Sequence, residues 1–198
     1  MGGADKGREA MIPPEVLHQE VGRMMRTAVD ALLAGHGVRP MLVAYRGPVF
    51  CGCCIARPHT DEESRDALGD LVAFGRGLAA TTVLLLVDSL ARTFPTVAAA
   101  RLYSETQDPL EDPEAHNSLL LLIADRGEPV VHQIALDYRV ADDGAPTFAQ
   151  EALEGPSPGG ILAEVVMGAL TPGGLAEAGP HHLATALADR GCRVVMPG

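Results

Sequence analysis

Two stretches constrain this chain more than any other feature. Thr82–Val87 and Ser118–Ala124 are nearly continuous runs of leucine and β-branched residues, without the alternation of a half-exposed strand. A run of that length predicts a strand covered on both faces. A sheet built on two such strands needs packing layers above and below it. The composition can supply them. Apolar residues make up 47% of the 198, while aromatics are 4% and tryptophan is absent, so the core must be aliphatic. Such a core packs as densely as any other.

The other elements arrange themselves around that pair. Residues 1–12 read as a flexible N-terminal arm and 13–198 as a single α+β domain. Pro13 and Pro14 open a helix, because proline is tolerated in a first turn. Leu17, Val21, Met24, Met25, Ala28 and Leu32 give that helix one apolar face, and Gly35 and Gly37 end it. Met41–Tyr45 and Val49–Ala56, split by Arg46-Gly47-Pro48, predict a hairpin. Thr60 or Asp61 is placed to cap a second helix running to about Leu78. Residues 91–117 read as irregular. Val130–Val140 alternates and predicts a half-exposed antiparallel strand. Helices over 161–170 and about 180–190 precede an edge strand at 193–196. The expectation is an α+β fold with a mostly antiparallel sheet of about five strands covered by helices.

Charge and lysine content exclude several kinds of function. The formal net charge is −11. Nucleic-acid binding needs clustered Lys and Arg to displace counterions, and no such cluster is visible, so a nucleic-acid partner is not expected. Lys6 is the sole lysine and sits in the N-terminal arm. A Schiff-base lysine, a P-loop lysine and a Ser-x-x-Lys pair are therefore not expected. No apolar run reaches eighteen residues, so no membrane helix is expected. The residues after Met1 have no signal-peptide pattern, and a cytoplasmic location with reduced thiols is the expectation.

The densest chemistry is Cys51-Gly52-Cys53-Cys54 with His59 five residues on. Thiolates and imidazole are zinc ligands, but zinc sites present Cys-x-x-Cys on a turn, and this run lies in a predicted strand. Alternation would put Cys51 and Cys53 on one face and Cys54 on the other. Buried cysteines pack as small hydrophobes, and that is the expected role here. A second set is Asp88, Ser89, His116 and Ser118, at the ends of the two central strands. If those strands are neighbours, the four can converge as a hydrolase site. No Gly-x-Ser-x-Gly elbow supports it. His181-His182 diverge by about 100° on a helix and suit no shared ion. His132 reads as a core residue on an apolar strand face. Gly75-Arg76-Gly77-Leu78-Ala79-Ala80 matches Gly-x-Gly-x-x-Ala, but a dinucleotide site needs a strand before it and a helix after. Here that order is reversed, which makes the run a helix C-terminus. No cofactor is implied.

Val83-Leu84-Leu85-Leu86-Val87-Asp88-Ser89, an acidic segment, Asp112-Pro113-Glu114-Ala115 and Leu119-Leu120-Leu121-Leu122 together resemble uncharacterised α/β proteins of actinobacteria and their phages. The likeness covers about a fifth of the chain. Leu90 or Arg92 stands where such proteins often carry tryptophan. The resemblance implies a phage or mobile-element setting and no activity. Residues 104–114 hold five carboxylates and two prolines, which suggests an exposed loop open to a partner. The leading expectation is a non-enzymatic protein that binds another protein or assembles with itself. The competing one is a hydrolase or metalloprotein near Asp88/His116 or Cys51/Cys53.

Overall fold

The computed structural model describes residues 11–60, 63–91, 115–157, 159–171 and 179–197. Residues 1–10 of the proposed arm and the acidic segment at 104–114 lie outside the described residues. The element order is α1 (Pro14–Leu33), β1 (Met41–Arg46), β2 (Val49–Ile55), α2 (Ser64–Gly77), β3 (Thr82–Ala91), β4 (His116–Asp125), β5 (His132–Val140), β6 (Pro146–Phe148), β7 (Leu153–Pro156), α3 (Ile161–Leu170), α4 (Pro180–Asp189) and β8 (Arg193–Val195). All strands join one antiparallel sheet in the order β6-β5-β4-β3-β1-β2-β8, with β7 also on the outer side of β5.

The α+β class agrees with the sequence reading, but the described residues form a sheet of eight strands, not about five. The strands not foreseen, β6 and β7, are three and four residues long and contain Pro146, Gly155 and Pro156. Proline at an edge loses no ladder bond, so such strands form without any β-rich run to announce them. The central strands also run further than their apolar runs. Ser89 pairs with Ser118, Leu90 with Asn117 and Ala91 with His116, so 91 and 116–117 are strand rather than irregular chain.

The continuous runs have the predicted consequence. Leu84, Leu86, Leu119, Leu121 and Ile123 face α1, together with Met41, Val43, Tyr45 and Cys53. Val83, Leu85, Val87, Leu120, Leu122 and Ala124 face α2, α3 and α4, with Leu42, Ala44 and Cys54. Ile12, assigned by sequence to the arm, is buried in the α1-side core. On the far side, α2 packs against α3 and α4, and these two helices carry the chain from the β5 edge back to β8 beside β2. Thr60 does not cap α2. Glu63 stands at the cap position, and its carboxylate accepts a bond from the Thr60 backbone N–H at 3.0 Å. That bond is the main reason its carboxyl sits below the usual range. Among the described residues, no helix is long and apolar enough to cross a membrane.

Candidate functional site

The four polar residues at the ends of β3 and β4 do lie on paired strands, but alternation divides them. Asp88 pairs in register with Leu119 and faces α1, where the Tyr138 hydroxyl donates to both carboxylate oxygens at 2.8 and 2.9 Å. Burial pushes the Asp88 carboxyl up, against the opposing effect of the Tyr138 bond. Ser89 and Ser118 face each other in the ladder on the opposite side, with His116 two residues from Ser118 on that side. The acid beside His116 is Asp137 of β5, which sequence reasoning missed. Its Oδ2 lies 3.0 Å from His116 Nε2, and Asp137 is the register partner of Ser118.

His116 and Asp137 border a cavity of about 370 Å³, shared with Arg139, Thr147 and Phe148 among others. Ser118 itself is fully buried, and its Oγ has no hydrogen-bond partner among the described residues. A serine nucleophile needs access to substrate and a bond to its base. Ser118 has neither. The arrangement can hold a proton between His116 and Asp137, and it leaves the serine beneath the surface.

The cysteines are divided by a β-bulge. Tyr45 pairs with Phe50 and Ala44 with Gly52, so Cys51 is an extra residue in β2. The inserted residue flips the alternation. Cys51 and Cys54 pack on the α2 side and Cys53 on the α1 side, which corrects the expectation that Cys51 and Cys53 share a face. Cys192 joins Cys54 on the α2 side. All four thiols are unpaired. Burial raises each of them, Cys53 to about 11, which keeps them as poorly nucleophilic thiols at neutral pH. His59 turns back on its own loop, with Nδ1 2.8 Å from the Arg57 carbonyl. Among the described residues, no group of three or more His, Cys, Asp or Glu is placed to hold a metal ion. His132, read as core, is exposed, as are His181 and His182.

A more apolar concavity lies elsewhere, where the sheet ends on β8. It has a volume of about 390 Å³. One wall is Val49, Phe50 and Cys51 of β2. The other walls are Leu78 after α2, Pro180 and His181 at the start of α4, and Met196 and Pro197 after β8, with Arg46 at the rim. Arg46 is fixed there by a bond from its guanidinium to the Leu78 carbonyl. β8 pairs with β2 only over Cys53–Ile55 and is the last strand on this side among the described residues. Val49 lines the hollow and is 61% exposed, while Val195, in register with Cys53, is 47% exposed on the other face of β8. The sequence signal was present in the valines of 193–196, but nothing in it placed β2, α4 and the C-terminal segment side by side.

No known family, no curated protein and no solved structure matches this chain.

Proposed function

We propose that this protein works by binding rather than catalysis, adding an extended apolar segment of a partner protein to its sheet beside β8. The observation that carries this reading is the difference between the two sheet edges. The β6/β7 edge holds Pro146, Glu154, Gly155 and Pro156, the usual devices against strand addition. The β8 edge reads Arg193-Val194-Val195 and opens beside the apolar hollow. Strand addition draws affinity from main-chain hydrogen bonds and specificity from pockets that take alternate side chains. The β8 edge offers the first and the hollow the second. The hydrolase reading has less support, because Ser118 is enclosed and Asp88 lies on the other face from His116.

The test is selection from a random peptide display library on the purified chain. The expected winners carry apolar residues at alternate positions. Their binding should fall at least tenfold on Val195→Lys, and should be unchanged by Val140→Lys at the opposite edge, where Val140 is also exposed. Failure to enrich peptides, or equal loss from both variants, would sink the proposal. Sedimentation of the chain alone over a range of concentrations separates a partner segment from a second copy: self-association lost on Val195→Lys would make the partner this chain itself.

A further inference from the structure

A further cavity, of about 550 Å³, lies at the start of α2 and the end of α4, and its lining is more polar than that of either cavity above. Arg57, Arg65, Asp66, Gly69, Asp70 and Arg190 line it. We propose that it binds a phosphomonoester, through the guanidinium groups of Arg57, Arg65 and Arg190.

The three arginines come from three different places: the segment after β2, the first turn of α2, and the residue after α4. They meet in a chain whose net charge is −11, where basic groups brought together need a reason. The organising group is Asp70, which is 4% exposed. Arg190 Nη1 donates to its Oδ1 at 2.6 Å, and Arg57 Nε lies 3.8 Å from its Oδ2. Cys192 Sγ closes the buried side at 3.8 Å. Asp70 is thus an inner carboxylate holding two guanidiniums by one edge each. The bond to Asp70 holds the Arg190 guanidinium more firmly charged still.

A closed structural ion pair would bury both partners. Here the acid is 5% exposed at its side chain and the Arg190 side chain is 65% exposed. Most of its donors are therefore left for something outside the protein. Arg65 makes no ion pair among the described residues, although it stands on the same cavity. Asp66 lines the cavity with Asp70, and Glu63 stands beside it at the start of α2. Glu63 is engaged with Thr60 and lies 3.7 Å from Arg57. Asp66 suits a hydroxyl of the ligand better than its phosphate. Planar guanidiniums bind phosphate oxygens in pairs, and the positive end of α2 adds to the attraction.

Phosphate esters occur on small molecules and on protein side chains, and the experiment separates them. The purified chain is titrated at constant ionic strength with inorganic phosphate, with ribose 5-phosphate and with a short phosphoserine peptide, following the arginine Nε–H resonances. Saturable shifts of Arg57, Arg65 and Arg190 are expected with phosphate. Whichever ester binds more tightly identifies the source. Arg65→Gln should weaken binding about tenfold, the worth of one charge-assisted hydrogen bond, without unfolding the protein, since Arg65 is exposed. Arg139→Gln, at the other end of the sheet, should leave affinity unchanged. Shifts that chloride reproduces at the same ionic strength would overturn the proposal, as would equal binding by Arg65→Gln and the parent.

Discussion

Ala79 occupies a place that two other helices in this protein give to glycine. After α1 and after α4, the chain reverses through Gly35 and Gly191, at φ 73° and 90°. At each end the glycine amide and the one after it bond back to helix carbonyls, Gly35 to Leu32 and His36 to Ala31, Gly191 to Ala188 and Cys192 to Leu187. That pair of bonds is the Schellman motif. α2 ends the same way, with Ala79 bonded to Arg76 and Ala80 to Gly75, but the left-handed residue is alanine at φ 50°. A Cβ in that conformation costs about 1–2 kcal/mol, and glycine returns part of the gain as extra freedom in the unfolded chain. Ala79→Gly should therefore stabilise the protein by about 0.5–1 kcal/mol. Urea denaturation measures it, and a midpoint unchanged or lowered would show that Ala79 carries no strain. At this scale much of the sequence reading concerned residue types, and those were legible: Gly35 as a helix stop, and Cys53, Cys54 and Cys192 as small buried groups. What could not be read was which face each residue takes. Asp88 and His116 look like partners in sequence. They are separated by parity across a register that neither strand encodes alone, and Asp137 takes the place given to Asp88.

Among the elements, α2 shows how a local motif hides a distant contact. Gly75 and Gly77 read correctly as part of a helix C-terminus, and both also serve packing. A Cβ at Gly75 would lie 2.7 Å from the Ala169 Cβ and 2.9 Å from its carbonyl oxygen on α3. A Cβ at Gly77 would lie 2.4 Å from Leu183 Cδ2 on α4. The first obstacle includes backbone and a side chain with no rotamer to change. The second is the tip of a flexible leucine. Gly75→Ala should accordingly destabilise by about 1–3 kcal/mol, the usual cost of overpacking, in spite of alanine's better helix propensity. Gly77→Ala should cost less. Chemical denaturation of the two variants decides the order, and a reversed order would mean that α3 gives way more easily than Leu183. The partners lie roughly 90 and 100 residues further on, which is why the sequence did not show this role. The bulge at Cys51 was hidden for a related reason. It exists only as a mismatch between β1 and β2, and Gly52 fits there because Met196 Sδ, Phe74 Cζ and the Val195 carbonyl would each stand 3.0 Å from a Cβ. β6 and β7 escaped the reading because short edge strands have too few residues to carry a period.

For the molecule as a whole, the sheet order sets a gradient from centre to edges. β3 pairs with β4 over ten residue pairs, from Thr82↔Asp125 to Ala91↔His116, and β1 pairs with β3 over five. These are the strands whose apolar runs were visible in sequence, and they are covered by α1 on one side and by α2, α3 and α4 on the other. β8 is held by three pairs to β2, and β6 by three to β5. Amides exchange with solvent through local opening where few buried contacts oppose it, and only through global unfolding at the core. Hydrogen exchange under native conditions should therefore be slowest in β3 and β4, slower in β1 than in β2, and fast in both β6 and β8. The last comparison joins this gradient to the proposed function. β6 and β8 are equally short and start from similar exchange, but Met196 and Pro197 after β8 line the apolar hollow, whereas Thr147 and Phe148 of β6 line the cavity that holds His116 and Asp137. Adding a selected peptide should slow the amides of β8 and the adjoining part of β2 by at least tenfold, and leave β6 and β7 as they were. Equal slowing at both edges would signify general stabilisation by a ligand bound elsewhere. Slowing confined to β6 and β7 would place the peptide on the edge that the prolines were read as closing, and the argument from edge asymmetry would fail.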